Sequence, residues 1–488
     1  MSAQGYEAVI GLEVHAQLLT KTKQFCSCPT TFGAEPNTNV CPVCLGLPGA
    51  LPVLNRASVV MAVRTALALG CTIREHSVFA RKNYFYPDLP KGYQISQFDL
   101  PFSEHGTLEI PEGGREGAKA KRVGITRVHM EEDAGKNLHG VADAPGKSVV
   151  DLNRAGVPLI EIVGEPDLRG PDEAVVYLKR LRDVLMALEV NDGNLEEGSF
   201  RCDVNISVRK KGAEKFGTRV EIKNVNSFRH VHRAIEHETA RLIALAEAGE
   251  TFKQHTRQWD DESGRTVFLR VKEGSDDYRY FPEPDLPPLV LDRPWIEQLR
   301  AELPELPEAR RQRLVRDLKL PTHDAEVVTG HPKVGDFFEA VLRARPGDAA
   351  WAKRAANFIM NEVLADARIH GLAAQVPVSS EQIVEILSLV DAQTISGKQA
   401  KEVYTAIKGS SQSAEAYVRE RGMAQVSDTG ALEAICRAQI AANPKQAAAY
   451  KSGKKGMMGF FVGQVMKETK GSANPALLND ILDRLLME

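Results

Sequence analysis

A proline-rich segment near the middle of the chain separates two regions with different hydrophobic patterns. It reads Phe281-Pro282-Glu283-Pro284-Asp285-Leu286-Pro287-Pro288 and contains four prolines. Proline has no amide hydrogen to give to a helix interior or a central strand, so no regular element continues through this segment. Strand-like alternation dominates before it, and helix-like spacing dominates after it. We therefore predict an α+β region up to residue 292 and a helical region from residue 293 onward.

Several segments of the first region alternate between apolar and polar residues, as strands with one buried face do. They cover residues 8–18, 200–208 and 218–223, and a further pair covers 258–260 and 266–271. Because only one face of each segment is apolar, we predict an antiparallel sheet with one covered face. Residues 55–69 and 172–188 are predicted helices, the first with Asn55 as its N-cap and the second with the apolar spacing of a core-facing helix.

A second, weaker break divides the helical region at residues 409–413, which read Gly-Ser-Ser-Gln-Ser. We predict an all-α domain over 293–408 and a small helical tail over 409–488. Residues 445–470 of the tail contain six lysines and one acidic residue. A basic patch next to flexible glycines suits an RNA phosphate surface, and a solvated lysine face is the alternative. The candidate RNA-binding residues are Lys451, Lys454, Lys455 and Lys467.

The overall charge excludes a uniformly basic nucleic-acid-binding surface. The chain holds 62 Lys and Arg residues against 65 Asp and Glu residues, a net charge of −3. No apolar run reaches the roughly 18 residues that a membrane helix needs, so we expect no membrane partner. The first residues lack the pattern of a secretory or transit peptide, which predicts a cytoplasmic protein. P-loop, Rossmann and serine hydrolase motifs are absent from the sequence.

Four of the seven cysteines lie close together in the sequence, as Cys26-x-Cys28-x12-Cys41-x2-Cys44. Two closely spaced pairs separated by a loop can close a tetrahedron of thiolates around zinc. Such a closed site has no open position, so we predict a structural zinc ion. An iron–sulfur cluster and four unrelated buried thiols are the alternatives.

Acidic residues and a histidine recur on the polar faces of the predicted strands. They are Glu13, His15, Glu131, Glu132, Glu161, Asp203 and Glu221. Carboxylates that lie close together repel one another, and a bound divalent cation such as Mg²⁺ usually offsets this repulsion. A cation held in this way can bind the triphosphate of ATP. Nearby cations that could also hold ATP are Arg81, Lys82, Lys91, Arg154 and Lys223. Ordinary solvated strand faces are the alternative.

Six motifs together resemble one protein family. They are residues 9–15 (VIGLEVH), 81–88 (RKNYFYPD), 93–97 (YQISQ), 129–136 (HMEEDAGK), 197–205 (EGSFRCDVN) and 276–284 (DDYRYFPEP). On these motifs the chain resembles the B subunits of the aspartyl/glutamyl-tRNA(Asn/Gln) amidotransferases. The resemblance covers essentially the whole length, and motifs of this length and order are specific.

The resemblance implies a fold and an activity. It implies a glutamine-synthetase-like cradle over residues 1–292 with a zinc knuckle at 26–44, a helical domain over 293–408 and a tRNA-binding tail over 409–488. In such a ligase, ATP activates the side-chain carboxylate of Glu or Asp misacylated on tRNA(Gln) or tRNA(Asn). Ammonia then displaces phosphate and gives Gln-tRNA(Gln) or Asn-tRNA(Asn). The implied partners are the amidase (A) subunit, which frees ammonia from glutamine, and the small (C) subunit.

The resemblance also implies roles for single residues. Glu13, His15 and Glu132 match Mg²⁺ ligands, and Lys91 and Glu132 match the exit of an ammonia channel. The four cysteines match a zinc knuckle that some members keep. We add as further candidates a catalytic Glu131 and the metal ligands Glu161, Asp203 and Glu221.

Two other functions stay open on the sequence alone. One is a zinc-containing RNA-binding scaffold without catalytic activity, whose acidic strand faces are merely solvated. The other is a free-standing amide ligase that acts on a small molecule, which leaves the basic tail unexplained. The sequence does not distinguish Glu-tRNA(Gln) from Asp-tRNA(Asn) as the substrate.

Overall fold

The computed structural model describes residues 5–115, 117–140, 145–271, 275–423, 429–469, 473 and 475–488. The chain divides into two compact units, Met1–Gln312 and Arg313–Glu488. Among the residues described, no helix is both long enough and apolar enough to span a membrane.

The described part of the first unit combines strands with four complete α-helices. The strands are β1 (Tyr6–Gln17), β2 (Thr72–Ile73), β3 (His76–Ser77), β4 (Ala80–Asn83), β5 (Tyr93–Ser96), β6 (Ser103–Pro111), β7 (Ala120–Glu132), β8 (Lys136–His139), β9 (Ser148–Asp151), β10 (Pro158–Gly164), β11 (Phe200–Lys210), β12 (Val220–Lys223), β13 (His255–Asp260), β14 (Arg265–Val271), β15 (Phe281–Pro282) and β16 (Leu289–Val290). The helices are α1 (Arg56–Ala68), α2 (Pro171–Ala187), α3 (Phe228–Glu247) and α4 (Arg293–Ala301). The predicted α+β class is confirmed.

Nine of these strands form one sheet in the order β14-β13-β12-β11-β1-β10-β7-β6-β2. Neighbouring strands run antiparallel except β12 and β13, which pair in parallel. The prediction of a wholly antiparallel sheet is therefore wrong, and the sheet is mixed. The reason is the connection, because α3 joins β12 to β13 and parallel neighbours need a crossover of this length.

One face of the sheet is covered by helices and holds the hydrophobic core. Ile10, Leu12 and Val14 of β1 share this core with Tyr177 and Leu181 of α2, and all five are almost completely buried. The alternation that predicted β1 thus reflects a real division between an apolar and a polar face. The other face carries most of the predicted acidic residues.

The proline-rich segment remains attached to the first unit. Its start forms β15, which pairs with β4, and β16 follows directly and pairs with β3. Helix α4 adds Ile296 and Leu299 to the same core. The first compact unit therefore extends past residue 292 to Gln312, and the three-part division into cradle, helical domain and tail stays a prediction.

Helices dominate the remainder of the chain. They are α5 (Pro307–Leu318), α6 (Thr322–Val328), α7 (Pro332–Leu342), α8 (Ala349–Phe358), α9 (Leu364–Asp366), α10 (Ser380–Asp391), α11 (Gly397–Ile407), α12 (Ala414–Glu420), α13 (Thr429–Ala442), α14 (Pro444–Lys451), α15 (Met457–Glu468) and α16 (Pro475–Met487). Two separate hydrophobic cores form here, one from residues between 314 and 418 and one from residues between 432 and 486.

The prediction of an all-α domain over 293–408 is wrong in one detail. Strands β17 (Arg368–His370) and β18 (Ala373–Gln375) form a small antiparallel hairpin. Gly371 adopts a φ of 55° in the turn between them, a conformation that glycine reaches without steric cost. Each strand has three residues, which is too short for alternation to be visible in the sequence.

Candidate active site

The register of the sheet brings most of the predicted acidic residues onto one face. His15 of β1 lies opposite Glu161 of β10, which lies opposite His129 of β7. On the other side of β1, Glu13 lies opposite Asp203 of β11. Because side chains alternate along a strand, the apolar neighbours of these residues face the helix-covered core. The polar groups of several strands are thereby gathered on the opposite face.

The first cluster on this face consists of His15, Glu131 and Glu161. Each offers a ligand atom, and these atoms lie within 4.8 Å of one another. The buried His129 supports the cluster, because its Nε2 lies 3.1 Å from Glu131 Oε1 and 3.2 Å from Glu161 Oε2. Burial opposes a charge on His129, but the two carboxylates outweigh burial and raise its pKa to about 9. Burial likewise opposes charge on Glu161, yet His129 and His15 hold the Glu161 pKa well below its usual value.

Two side chains of β5 fix the carboxylate of Glu131. Ser96 Oγ donates a hydrogen bond of 2.8 Å to Glu131 Oε1, and Gln94 Nε2 donates one of 3.0 Å to Oε2. Both residues belong to the motif at 93–97, and sequence reasoning assigned neither of them a role. The available signal was that Gln94 and Ser96 are two residues apart on one strand, because side chains with this spacing face the same side.

The second cluster consists of Glu13, Asp203 and Glu221, whose ligand atoms also lie within 4.8 Å of one another. Lys223 Nζ donates a hydrogen bond of 2.6 Å to Asp203 Oδ2 and lies 3.7 Å from Glu221 Oε1. Burial opposes charge on Lys223, but Asp203 and Glu221 outweigh it and raise the Lys223 pKa. Asn205 donates to Glu13 at 3.0 Å, so the carboxylates are held in place by the strands around them.

The donor sets of the two clusters fit a hard divalent cation. They consist of carboxylate oxygens with a single imidazole, and Mg²⁺ prefers oxygen ligands. His15, Glu161, Glu13 and Asp203 are only partly buried, which leaves room for a substrate oxygen. This arrangement suits the binding of a phosphorylated substrate through a metal ion.

The predicted residues Lys91 and Glu132 lie together in a different environment. Glu132 follows Glu131 on β7, and strand alternation turns its side chain to the other side. There its Oε1 accepts hydrogen bonds from Lys91 Nζ and, at 3.0 Å, from the amide of Ile95. The structure thus joins Lys91 to Glu132 and places Glu132 apart from Glu13 and His15.

Two of the predicted ATP-binding cations lie at the polar face, and two are engaged elsewhere. Lys223 lies in the second cluster, and Lys82 lies close enough to Glu131 and Glu161 that these carboxylates outweigh burial and raise the Lys82 pKa. Arg81 is paired with Glu283 at 2.8 Å and with Asp285 at 3.0 Å. Arg154 donates to the backbone carbonyls of residues 134 and 135 at 2.9 and 2.6 Å.

The four predicted zinc ligands meet in space. The sulfur atoms of Cys26, Cys28, Cys41 and Cys44 lie within 4.8 Å of one another, and all four cysteines are free of disulfides. The hydrogen bond with Cys26 lowers the Cys44 pKa to about 4, helped by the Cys41 amide and by Lys23. Four sulfur atoms this close together fit a closed four-thiolate zinc site, in which each bound cysteine is a thiolate.

The predicted RNA-binding lysines are exposed around helices α14 and α15. Lys451 ends α14, Lys467 lies in the last turn of α15, and Lys454 and Lys455 lie between these helices. Lys455 Nζ lies 4.3 Å from the ring centroid of Tyr450. Of the six lysines counted in this segment, Lys470 lies outside the described residues.

Fold and site together define a class of protein: an α+β domain with two clusters of carboxylates on one sheet face and a cluster of four cysteines, each of which could hold a metal ion. Comparison with known protein families agrees with this class. Residues 8–297 match the family model of the GatB/GatE catalytic domain, and residues 336–486 match that of the GatB domain.

Comparison with known proteins extends the match to the full chain. The chain is 55% identical over 490 residues to the B subunit of the aspartyl/glutamyl-tRNA(Asn/Gln) amidotransferase from Anaeromyxobacter sp. (strain Fw109-5), covering 100% of both chains. It is 52% identical to the protein of the same name from Solidesulfovibrio magneticus, covering 99% of both chains. For that of Geotalea uraniireducens the identity is 54%, with 98% of both chains covered. The chain therefore belongs to the family of aspartyl/glutamyl-tRNA(Asn/Gln) amidotransferase B subunits.

Proposed function

We propose that the polar sheet face activates the side-chain carboxylate of Glu or Asp misacylated on tRNA(Gln) or tRNA(Asn), using ATP, and that ammonia then converts it to the amide. The names of the full-length relatives support an amidotransferase that acts on these tRNAs. The observation that carries the proposal is the pair of carboxylate clusters on one face, His15–Glu131–Glu161 and Glu13–Asp203–Glu221. A carboxylate is a poor acyl donor, and phosphorylation by ATP turns it into a reactive acyl phosphate.

The residues of the two clusters would hold Mg²⁺, which offsets the charge of the triphosphate when it is bound. Neighbouring side chains of the protein hold these carboxylates in position. His129, Ser96 and Gln94 fix the carboxylates of the first cluster. Lys82 and Lys223 provide positive charge at the edge of the same face, where a phosphate would approach.

Ammonia would reach the acyl phosphate next to the Lys91–Glu132 pair, since Glu132 directly follows Glu131 of the first cluster at the end of β7. Its attack forms the carbon–nitrogen bond, breaks the bond from carbon to the phosphate oxygen, and releases inorganic phosphate and a proton. Glu132 can accept that proton, and Lys91 holds the Glu132 carboxylate in position. Both side chains are largely buried, which protects the acyl phosphate from water.

Partners supply what the proposed reaction still needs. The amidase (A) subunit would free the ammonia, the small (C) subunit would join the amidase to this chain, and the reaction would take place in the cytoplasm. The exposed lysines Lys451, Lys454, Lys455 and Lys467 would contact tRNA phosphates. Zinc would hold the knuckle of Cys26, Cys28, Cys41 and Cys44 together.

The experiment uses the assembled amidotransferase with Mg·ATP, Glu-tRNA(Gln) and ammonium chloride in place of glutamine. Ammonium chloride bypasses the amidase, so the formation of Gln-tRNA reports on this chain. We expect Glu161→Gln to reduce product formation about a hundredfold. Glu109→Gln, at an exposed carboxylate on β6 of the same sheet, should leave it unchanged.

Three outcomes would contradict the proposal or favour the two alternatives. Full product formation by Glu161→Gln would mean that the polar face is not catalytic and would favour an RNA-binding scaffold. Formation of glutamine from free glutamate without tRNA would favour a free-standing amide ligase. A loss of product in Glu109→Gln equal to that in Glu161→Gln would point to a general effect of charge on the sheet.

A further inference from the structure

A small cavity connects the cysteine knuckle with the Lys91–Glu132 pair. Its volume is about 100 Å³, and its lining includes Cys26 and Cys44 of the knuckle together with Lys91 and Glu132. Two of the four proposed zinc ligands and the proposed point of ammonia attack therefore line the same cavity.

The knuckle turn that carries Cys41 and Cys44 ends at Gly46. Within this turn the amide of Leu45 bonds the carbonyl of Cys41 at 3.0 Å, and the amide of Gly46 bonds that of Val43 at 3.0 Å. Gly46 has a φ of +66°, a conformation that side-chain-bearing residues rarely adopt. These hydrogen bonds tie Leu45 to Cys41 and Gly46 to Val43 within the turn that carries both cysteines, so the position of Gly46 follows the conformation of that turn.

Gly46 lies directly against Lys91. A Cβ atom added at Gly46 would lie 2.4 Å from Lys91 Cγ and 3.1 Å from Lys91 Cα and Cβ. The stem of Lys91 therefore rests on the backbone of the knuckle turn, while its ammonium group bonds Glu132. Any shift of the turn would move the stem of Lys91 and with it the hydrogen bond to Glu132.

A buried lysine, Lys23, lies against the cysteine knuckle. Lys23 is fully buried, and its Nζ donates to the carbonyl of Asn39 at 2.7 Å and to Cys44 Sγ at 3.6 Å. A buried ammonium group is costly unless it is paired. Four thiolates on a divalent ion carry a net negative charge, which Lys23 is placed to offset. The buried ammonium group of Lys23 therefore fits a knuckle whose four cysteines are thiolates bound to a divalent metal ion.

We propose that the zinc-loaded knuckle is the positioning element of Lys91, acting through Gly46, and that it thereby sets how efficiently ammonia captures the acyl phosphate. The inference rests on the proposed function, in which ammonia attacks at the Lys91–Glu132 pair. When Lys91 is displaced, water competes for the acyl phosphate, and the products are phosphate and the original carboxylate. ATP is then cleaved without formation of an amide.

The test measures the amide formed per ATP cleaved by the assembled amidotransferase with Glu-tRNA(Gln) and ammonium chloride. Gly46→Ala should lower this ratio about tenfold, because misplacing a reacting group by a fraction of an ångström is costly. Gly49→Ala is the matched control, because Gly49 also has a positive φ, +84°, but nothing lies within 4 Å of its added Cβ. We expect Gly49→Ala to keep the wild-type ratio.

Zinc content, measured by elemental analysis, distinguishes the effect of losing the metal from the effect of changing Gly46. Gly46→Ala should keep its zinc, and Cys44→Ser should lose zinc and show the same low ratio. Lys23→Met should release zinc to a chromogenic chelator faster than the wild type. If Gly46 acts through Lys91, the Gly46→Ala change should have no further effect on the ratio in a Lys91→Ala background.

Two results would overturn the inference while leaving the proposed function intact. One is a Gly46→Ala ratio equal to that of Gly49→Ala. The other is a zinc-free Cys44→Ser protein that keeps the wild-type ratio. Failure of the proposed function is distinguishable, because tRNA-dependent cleavage of ATP would then not require Glu161 at all.

Discussion

Glu131 and Glu132 are neighbours on β7, yet their carboxylates lie in two different environments. Glu131 is held by His129, Ser96 and Gln94 next to Glu161. Glu132 accepts hydrogen bonds from Lys91 and from the amide of Ile95. The period-two geometry of a strand thus separates a carboxylate that could bind a metal ion from one that lines the cavity near the knuckle.

This separation predicts that isosteric changes at the two positions give different defects. Glu131→Gln should reduce tRNA-dependent cleavage of ATP about a hundredfold, because it removes a proposed ligand of the phosphate-bound metal. Glu132→Gln should leave ATP cleavage near the wild-type rate but lower the amide yield about a hundredfold, because it removes the proposed proton acceptor. Parallel assays of ADP formation and Gln-tRNA formation check both. Identical defects in the two variants would contradict the assignment.

Removing the hydroxyl that orients Glu131 should weaken metal binding. Ser96→Ala deletes the donor of the 2.8 Å hydrogen bond to Glu131 Oε1. Groups that orient metal ligands typically contribute about tenfold to metal affinity, so the Mg²⁺ concentration for half-maximal ATP cleavage should rise about tenfold. Ser103→Ala is the control, because the buried Ser103 hydroxyl donates to the backbone carbonyl of Val128 on the same strand, β7. An unchanged Mg²⁺ requirement in Ser96→Ala would argue against the first cluster.

A carboxylate at the start of α2 should make stability depend on pH. Glu173 accepts hydrogen bonds from the amides of Gly113 and Arg169 and from Lys121 Nζ, at 2.9, 2.8 and 2.7 Å. Burial opposes its charge, but these donors outweigh burial and lower the Glu173 pKa below its usual value. A lowered pKa means that the stabilisation is complete above the usual pKa and is lost as the pH falls through the folded-state value.

Glu173→Gln should therefore lower the free energy of unfolding by about 2 kcal/mol at pH 7, as expected for hydrogen bonds to a charged group. The difference from the wild type should shrink as the pH drops below the usual carboxyl pKa. Denaturant unfolding of the chain at pH 7 and at acidic pH measures both quantities. A difference that stays the same at both pH values would show that charge on Glu173 is not the cause.

The tail lysines should contribute to tRNA affinity mainly through phosphates. The double change Lys454→Gln and Lys455→Gln should weaken binding and reduce the slope of log affinity against log salt by about one to two units. Lys319→Gln, at an exposed lysine after α5, is the control. Titration of labelled tRNA at several salt concentrations provides the measurement. An unchanged salt slope would favour a merely solvated lysine face.

Much of the fold was predictable from the sequence because local features, such as apolar–polar alternation and helix-capping residues, determine individual strands and helices. Alternation over residues 8–18 predicted β1, and the structure forms it at Tyr6–Gln17. Asn55 was predicted to cap α1, and its side chain accepts a 2.9 Å hydrogen bond from the Ala57 amide. The parallel pairing of β12 with β13 was not predictable, because it depends on how α3 returns the chain to the sheet.

The candidate site, like the fold, depends partly on local sequence patterns and partly on contacts between residues that are distant in the sequence. The spacing of the cysteines was sufficient to predict that they meet, and strand faces were sufficient to gather the predicted carboxylates other than Glu132. The pairings of Arg81 with Glu283 and of Lys91 with Gly46 join residues far apart in sequence. No periodicity encodes such contacts, since they depend on tertiary packing. Fully buried Lys23 was missed for the same reason.

The most direct test of the central claim is the formation of ADP from ATP by the assembled amidotransferase, measured with Glu-tRNA(Gln) and without any source of ammonia. This measurement isolates carboxylate activation from amide formation. The wild type should form ADP only when the misacylated tRNA is present, and Glu161→Gln should form it about a hundredfold more slowly. ADP formation by Glu161→Gln at the wild-type rate would contradict the claim that the polar face of this chain activates the substrate.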